Sequence, residues 1–315
     1  MMELILAASV AASAPLVLLA SLVYEGIDRK LRARMQGRVG PPLLQPFYDL
    51  VKLFSKDRVV PLTAAYLLFN YAPLLSASCA LAGGALVLAA LITGLQLAGD
   101  LLLVFYLLSS SSILAMVGGA SSGNPYAAIS LSRGLSVLLS YKLPMLLSAL
   151  TAALKAGGTL SLAGVAGFQA EMGVGIALSS LSGALALLAF TLCMPAEGEV
   201  PPFDVTTAKT EVVHGFLIEY GGPYLALVKI AKGVSRFSTA LLAAALFLYT
   251  PASPPLAAGL CLLEATCMAV LAMTMPSTVL GRLKPGQVVK FCLTVPMSIA
   301  ASSLVLSLLE AGGFI

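Results

Sequence analysis

Five carboxylates lie within one 26-residue stretch, from Pro195 to Tyr220, between two strongly apolar segments. They belong to Glu197, Glu199, Asp204, Glu211 and Glu219, and the whole chain has only 14 acidic residues. Ionisable groups at membrane depth are costly unless they face water or a partner, so they usually mark an ion or ligand path. Glu211 and Glu219 are eight residues apart, about 80° around an α-helix, so both could border one cavity. The stretch predicts an ion path; a solvated loop is the alternative, more so for Glu197 and Glu199.

Three other side chains could take part in ion transfer. His214, the only histidine, follows Glu211 by three residues. Glu-x-x-His on a helix can ligate metal when several helices contribute such pairs, but the sequence has no second pair, which leaves a proton relay or a structural histidine. Glu264 lies in an apolar run, where a carboxylate must be paired, protonated or hydrated, and a neutral acid bonded to a neighbouring helix is its alternative. Lys142 lies in another such run.

The elements that must position these groups are membrane helices. The 315 residues are 59% hydrophobic and 10% charged, with a mean hydropathy of +0.99. Continuous apolar runs, rather than alternating ones, exclude an outer-membrane barrel and predict an all-α polytopic protein in a single transmembrane domain, 1–315. Eight spans are predicted, at about 4–24, 66–93, 99–118, 136–155, 176–194, 223–249, 255–276 and 287–309.

The basic residues predict the orientation. Seventeen of the 18 Lys and Arg residues fall in or beside alternate loops, and only Lys155 lies on the opposite side. By the positive-inside rule, both termini are expected to be external in the cell membrane. The cytoplasmic loops would be 25–65, 119–135, 195–222 and 277–286. Because the basic residues lie in loops beside the spans, the net charge of +4 does not indicate nucleic-acid binding, and nucleic acid is not expected as a partner.

The segment between the first two spans is long and patterned. A cationic stretch from Arg29 to Arg38 ends at Gly40-Pro41-Pro42, where prolines prevent helix continuation. Leu43 to Phe54 then repeats apolar residues at helical spacing, which predicts an amphipathic helix lying along the membrane interface. The segment is either an anchor to anionic lipid or a docking surface for a peripheral subunit.

The five cysteines do not indicate a metal centre. They form no C-x-x-C pair, and all lie in or beside apolar runs. Any redox metal is therefore expected in a partner, and no metal or catalytic residue is assigned to this chain.

Several of these residues together resemble a known family. The chain resembles subunit 1 of respiratory complex I and its homologue in membrane-bound, energy-converting nickel–iron hydrogenases, collinearly over most of its length. Two segments, GPPLLQPFYDLVKLFSKD and EYGGPYLALVK, are more similar to the hydrogenase branch than to the quinone-reducing one. The strongest pieces are Asp28-Arg29-Lys30 with Arg38 to Pro46, Asn124-Pro125-Tyr126 with Arg133 and Ser140-Tyr141, Ala196-Glu197 with Pro202-Phe203-Asp204, and Glu211 with Glu219-Tyr220.

The resemblance implies a tilted bundle that anchors a peripheral redox arm on its cytoplasmic face and begins a lateral chain of protonatable groups. Peripheral hydrogenase-like large and small subunits would carry the nickel–iron centre and iron–sulfur clusters. Other membrane subunits, including antiporter-like ones, and membrane lipid would be further partners. The ion path would comprise Glu197, Asp204, Glu211, His214, Glu219, Lys142 and Glu264. Docking would involve Asp28, Arg29, Lys30, Arg38, Gln45, Pro46, Phe47, Asp49, Pro202 and Phe203.

The chain departs from the family pattern at four positions. Lys142 stands where the family usually has a glutamate, Thr207 and Lys209 stand where the acidic loop usually has two more, and Gly134 replaces an acid common in the hydrogenase branch. Several carboxylates of the expected relay are thus missing. Lys142 could itself carry protons, or it could pair with a carboxylate such as Glu211.

These features predict a non-catalytic membrane subunit of an energy-converting oxidoreductase. A ferredoxin-dependent hydrogenase that moves protons or sodium is the main hypothesis. The alternatives are a quinone- or sulfur-reducing complex, a passive anchor without translocation, and a stand-alone transporter.

Overall fold

The computed structural model describes residues 2–94, 96–97, 99–248 and 254–311. In this part of the chain every regular element is a helix. The α-helices are α1 (Met2–Met35), α2 (Gln45–Phe54), α3 (Tyr66–Thr93), α4 (Asp100–Ala120), α5 (Pro125–Lys155), α6 (Leu162–Met172), α7 (Ile176–Ser179), α8 (Leu181–Glu197), α9 (Lys209–Val212), α10 (Gly222–Phe247), α11 (Pro254–Ala269), α12 (Met275–Val279) and α13 (Pro285–Ala311).

Seven helical segments within the described residues are long and apolar enough to cross a membrane. They correspond to seven of the eight predicted spans and make the chain a multi-pass membrane protein. The remaining predicted span, 176–194, falls on α7 and α8, and α8 has 17 residues. Tyr249, the last residue of the predicted sixth span, lies outside the described residues.

Two membrane helices are longer than their predicted spans. α1 continues past residue 24 to Met35 because its cationic side chains have acidic partners one turn earlier: Arg29 pairs with Glu25 at 2.6 Å, and Arg32 pairs with Asp28 at 2.8 Å. α5 begins at Pro125 instead of residue 136. Asn124 caps it, since its side-chain oxygen accepts a hydrogen bond from the Tyr126 amide.

The core of the bundle is α10, whose residues from Phe237 to Phe247 are buried throughout. It packs against α3, α1, α8 and α11, while α5 packs against α13 and α8. Small residues permit the close approaches. A β-carbon at Gly84 would collide with Ser238 Oγ and with Val17, so glycine lets α3 meet α10 and α1.

The helix formed by α11 and α12 is interrupted by a π-helical segment, Val270–Thr274. Thr274, its last residue, is buried and donates a hydrogen bond of 2.6 Å to Asp28 on α1. The wider turn thus places the Thr274 hydroxyl against the buried Asp28 carboxylate of α1. Such π segments are uncommon and frequently accompany functional sites.

α2 lies within the segment predicted as helical, Leu43 to Phe54. Arg29 of α1 holds it through a 2.6 Å pair with Asp49, and Gln45 donates to the same carboxylate at 3.0 Å. The aromatic and aliphatic side chains of Tyr48, Val51 and Phe54 are exposed.

Candidate functional site

Two buried ion pairs lie side by side where α8 ends. Lys142 Nζ of α5 is 2.8 Å from Glu197 Oε2, with side chains 13% and 0% exposed. Lys232 Nζ of α10 is 2.6 Å from Glu199 Oε2, with both side chains largely buried. Lys142 is 13 residues before the end of α5, about 20 Å along its axis, and therefore within a hydrocarbon core of about 30 Å.

Glu197 is the last residue of α8, and its surroundings come from three other helices. Ser235 of α10 donates a 3.4 Å hydrogen bond to Glu197 Oε1. The Lys142 ammonium lies 5.8 Å from the ring centroids of Phe105 on α4 and of Tyr141 on α5, within range of a cation–π attraction. The carboxylate and its lysine thus share a desolvated pocket in which the charge of one is balanced by the other.

Glu199 lies two residues further on, in a left-handed backbone conformation with φ 47°. Thr206 Oγ1 donates to the carboxylate at 2.9 Å, in addition to Lys232. Burial would raise the pKa of Glu199, but the charge and hydrogen bond of Lys232 and the bond from Thr206 outweigh it, and its pKa lies below the ordinary value. Glu199 is therefore held as a carboxylate.

A small polar cavity joins the two pairs. It has a volume of about 10 Å³ and is lined by Glu197, Glu199, Lys232, Ser235 and serines of α3 and α4. Ser76 Oγ on α3 donates to the Ser111 carbonyl at 2.7 Å, which ties these two helices beside it. That volume is close to the minimum for one water molecule, and the lining supplies several polar partners. A water in this cavity would touch groups of both pairs and could carry a proton between them.

The remaining acids of the stretch pair with other side chains, and of these Glu211 is the exposed one. Arg282 Nη2 is 3.0 Å from Asp204 Oδ2, and Thr207 also donates to Asp204. Arg133 Nη1 is 2.5 Å from Glu211 Oε2, where the glutamate side chain is 48% exposed. Glu219 accepts a 2.8 Å hydrogen bond from the side-chain amide of Asn124. Lys142 therefore pairs with Glu197, and the suggested pair with Glu211 is not formed.

The expectation that one helix carries Glu211 and Glu219 is wrong. α9 ends at Val212, and Val213 and His214 take left-handed conformations with φ 51° and 79° before a short 3₁₀ turn. A β-branched residue with positive φ is strained, so the chain turns sharply here instead of continuing as a helix. The Glu-x-x-His pattern consequently does not lie on one helical face. His214 is exposed, and the described residues contain no cluster of three groups suited to a metal ion.

The order of burial is also the reverse of the expected one. The alternative of a solvated loop applies more to Glu197 and Glu199 than to Glu211 and Glu219, yet the Glu197 and Glu199 side chains are only 0% and 14% exposed. Glu211 is exposed within this chain. Tertiary packing explains the burial of Glu197 and Glu199, because lysines on α5 and α10 supply the countercharges that permit it.

Four of the ten residues expected to dock a peripheral subunit are buried within the chain. Asp28 is 6% exposed and bonded to Arg32 and Thr274. Pro46, Pro202 and Phe203 are buried as well. A docking role for these four residues stays a prediction, since little of their surface is exposed in this chain. Arg38 is exposed, while Arg29, Lys30, Gln45, Phe47 and Asp49 are half-buried.

Glu264 is half-buried on α11, one turn after Cys261. It lies on a different helix from the acids at the end of α8 and in the loop that follows.

The residues that sequence reasoning missed are the partners of the acids. Lys232, Arg282, Ser235 and Asn124 each hold one of the predicted carboxylates or its neighbour, but they come from three places in the chain: α10, the loop before α13 and the cap of α5. One signal for Lys232 is visible in the sequence, because it lies ten residues into a membrane helix, where a cation needs a partner.

Comparisons with known proteins identify the fold and the family. The family model described as NADH dehydrogenase matches residues 8–308. The chain belongs to the NADH dehydrogenase subunit 1 family. This confirms the resemblance found in the sequence.

Similar proteins come from two branches of this family. Hydrogenase-4 component C of Escherichia coli is 34% identical over 239 residues, which cover 75% of this chain and 74% of that protein. A subunit of the NADH-quinone oxidoreductase of Thermomicrobium roseum is 35% identical over 254 residues, covering 74% of each chain. A chain in the structure of the membrane-bound sulfane sulfur reductase, an archaeal respiratory membrane complex, superposes with a TM-score of 0.85 at 26% identity, over 96% of this chain and 99% of that one.

Proposed function

We propose that this chain is the membrane-anchor and ion-path subunit of an energy-converting respiratory oxidoreductase. The observation that carries the proposal is the pair of buried salt bridges, Lys142 with Glu197 and Lys232 with Glu199, around a water-sized cavity. Buried ion pairs are costly to keep compared with apolar packing, so their presence inside a bundle of membrane helices favours a role in ion transfer. The family and its respiratory relatives support the same reading.

Coupling would act through the segment between α8 and α10. Glu199 belongs to this segment and is bonded to Thr206 within it, while Lys232 belongs to the core helix α10. A redox event in a peripheral subunit that moves the segment would stretch the Glu199 pair and alter hydration beside Glu197. Protonation of the buried groups would then shift, because a small displacement selects between two packed arrangements. The outer, more solvated end of the ion path would be formed by Asp204, Glu211, His214 and Glu219. Glu264 stays a separate candidate for the ion path.

The proposed partners are peripheral hydrogenase-like large and small subunits that hold the nickel–iron centre and iron–sulfur clusters and accept electrons from ferredoxin. Antiporter-like membrane subunits would move protons or sodium. The likeness to Hydrogenase-4 component C favours this branch. Arg29, Lys30, Arg38, Gln45, Phe47 and Asp49 are the proposed docking residues, since they are at least partly exposed.

A second candidate is a sulfur-reducing complex of the same architecture. The structural neighbour that covers 96% of this chain comes from a sulfane sulfur reductase. The acceptor would then differ, while the role of this chain in the membrane would be the same.

The topology proposed with this function has eight tilted spans in one domain, 1–315. α8 would be the eighth crossing element, because its 17 residues are about 25 Å long and α7 precedes it directly. α2 would lie along the interface with Tyr48, Val51 and Phe54 toward lipid or a partner. The basic loops would be cytoplasmic and both termini external.

The decisive experiment uses inverted membrane vesicles that contain the assembled complex. Glu197→Gln and Lys142→Met should abolish ion pumping while electron transfer continues, in vesicles matched for the amount of assembled complex. Glu171→Gln, at an exposed acid outside the proposed path, is the control. Pumping is followed with a pH-sensitive dye, with and without sodium. Unchanged pumping in both buried-pair variants would support the passive-anchor alternative. Ion flux through the purified chain alone in liposomes would support the stand-alone transporter.

A further inference from the structure

A large apolar groove lies on the side of the bundle formed by α8, the segment from α11 to α12, and α13. Its volume is about 560 Å³, and its lining includes Ala184, Leu188, Pro195, Phe203, Leu271 and Phe291. Among the described residues that line it, Thr191 alone has a polar side chain, and its hydroxyl is already bonded to the Leu188 carbonyl at 2.9 Å. An occupant therefore gains apolar contact here and meets no unsatisfied polar group of this lining.

The groove has the depth of one membrane leaflet. Along α8 it reaches from Pro195 to Ala184, eleven residues or about 16 Å, which is half of a hydrocarbon core of about 30 Å. At its shallow end it is closed by Pro202 and Phe203 and bordered by Leu280. A membrane helix of a partner would continue across both leaflets, whereas an acyl chain of one leaflet ends where this groove ends.

Basic residues stand at the shallow end. Leu280 lines the groove, and the exposed residues Arg282 and Lys284 follow it closely in the loop before α13. Arg282 gives one guanidinium nitrogen to Asp204, yet its side chain is 42% exposed and can still be reached by a headgroup. Cations at this level attract the anionic headgroups of membrane lipids.

We infer that this groove binds an anionic phospholipid from the leaflet on the side of the basic loops. One acyl chain lies between α8 and the segment from α11 to α12, and the phosphate lies beside Arg282 and Lys284. The inference does not depend on the proposed function. It places the lipid against Phe203, next to Asp204, so the occupant also supports the base of the acidic loop.

The chain has no tryptophan, which allows a clean optical test. Leu188→Trp puts a reporter in the groove, and Leu308→Trp puts one on an exposed position of α13 outside it. The full-length variants are reconstituted with brominated phosphatidylglycerol or brominated phosphatidylcholine, and quenching of the reporter measures lipid contact. We expect the groove reporter to prefer phosphatidylglycerol about fivefold, roughly the effect of one nearby cation, and the control reporter to show no preference.

Two further variants test the two ends of the site. Arg282→Gln with Lys284→Gln should remove the preference for phosphatidylglycerol. Ala184→Phe should close the deep end and lower quenching by lipid brominated near the chain terminus, while Ala301→Phe, on an exposed part of α13, should not. Native mass spectrometry of the unmodified chain with the two lipids needs no substitution and should show retention of phosphatidylglycerol alone.

Three outcomes would overturn the inference. Equal quenching of the groove reporter by both lipids would identify ordinary boundary lipid. Lack of quenching by either would show that lipid does not enter the groove. Survival of the preference without Arg282 and Lys284 would refute the headgroup position.

Discussion

Lys142 and Glu197 neutralise each other inside the membrane-spanning bundle, with 2.8 Å between the ammonium nitrogen and a carboxylate oxygen whose side chain is fully buried. The resemblance found in the sequence implies a glutamate at the position of this lysine. The substitution therefore does not delete a charged group from the bundle; it converts a site expected to be acidic into a balanced pair.

Breaking this pair from one side should destabilise the chain strongly. Glu197→Gln leaves the Lys142 ammonium buried without its countercharge, and a loss of about 3–5 kcal/mol is expected. The double variant Lys142→Met with Glu197→Gln should recover most of that loss, since no unpaired charge remains. Thermal unfolding in detergent measures both. Glu211→Gln is the control and should cost less than about 1 kcal/mol, because that pair is exposed. A Glu197→Gln variant as stable as the control would contradict the pair.

The second buried pair should make stability depend on pH. The pKa of Glu199 is lower in the folded chain than its ordinary value, so its stabilising contribution is complete above the pKa of the unfolded chain, about 4.3, and disappears as the pH falls through the folded value. The stability difference between the wild type and Glu199→Gln should thus be largest near pH 7, up to about 3 kcal/mol, and should shrink as the pH falls below about 4. Thermal unfolding at several pH values gives this difference. A difference that stays constant from neutral pH down to about pH 3.5 would argue against an ionised Glu199.

Asp28 and Arg38 should differ sharply when substituted. Asp28 is buried between Arg32 and Thr274, so Asp28→Ala leaves both without this partner and should lower the amount of folded chain in the membrane, at a cost of about 1–3 kcal/mol. Arg38 is exposed, so Arg38→Gln should leave the chain at normal levels and weaken attachment of peripheral subunits. Immunoblots of washed membranes for this chain and for the peripheral subunits separate the two effects. Normal levels of the Asp28→Ala chain with lost attachment would place Asp28 on the docking surface.

Gly134 leaves no room for the acid that the resemblance to the hydrogenase branch implies at this position. A β-carbon at this position would collide with Met116 Sδ and come within 2.8 Å of Thr206 Cγ2. Gly134→Glu should therefore destabilise the chain by more than the roughly 1–3 kcal/mol typical of overpacking, since a charge is buried as well. Thermal unfolding checks this, and adding Met116→Ala should restore part of the loss. If Gly134→Glu unfolds at the wild-type temperature, the close packing of α4, α5 and the acidic loop is incorrect.

Local sequence patterns predicted the elements better than they predicted the site. Apolar run length found seven of the membrane helices, and helical spacing found α2 to within two residues at its start. These signals depend on neighbours in the chain. The longer extents of α1 and α5 were missed because side-chain partners such as Asp28 and the Asn124 cap, rather than hydropathy, set those ends.

The site could not be assembled from the same signals. Glu197 is 55 residues from Lys142, and Glu199 is 33 residues from Lys232, so only the packing of α5, α8 and α10 reveals which acids are balanced. The left-handed residues Val213 and His214 were equally hidden, because nothing in Glu-Val-Val-His marks a chain reversal. Spacing arguments about Glu211 and Glu219 failed at that point.

The π segment from Val270 to Thr274 sets the number of residues that the helix from α11 to α12 needs. The Thr274 hydroxyl reaches Asp28 only because the wide turn has its present number of residues. Removing one residue there would rotate everything downstream by about 100° relative to α1. Leu280 and the start of the basic loop would then point in a new direction, although every side chain in them would be unchanged. The number of residues in this segment therefore matters as much as their hydrophobicity. Deletion of one residue here should be more harmful than most single substitutions.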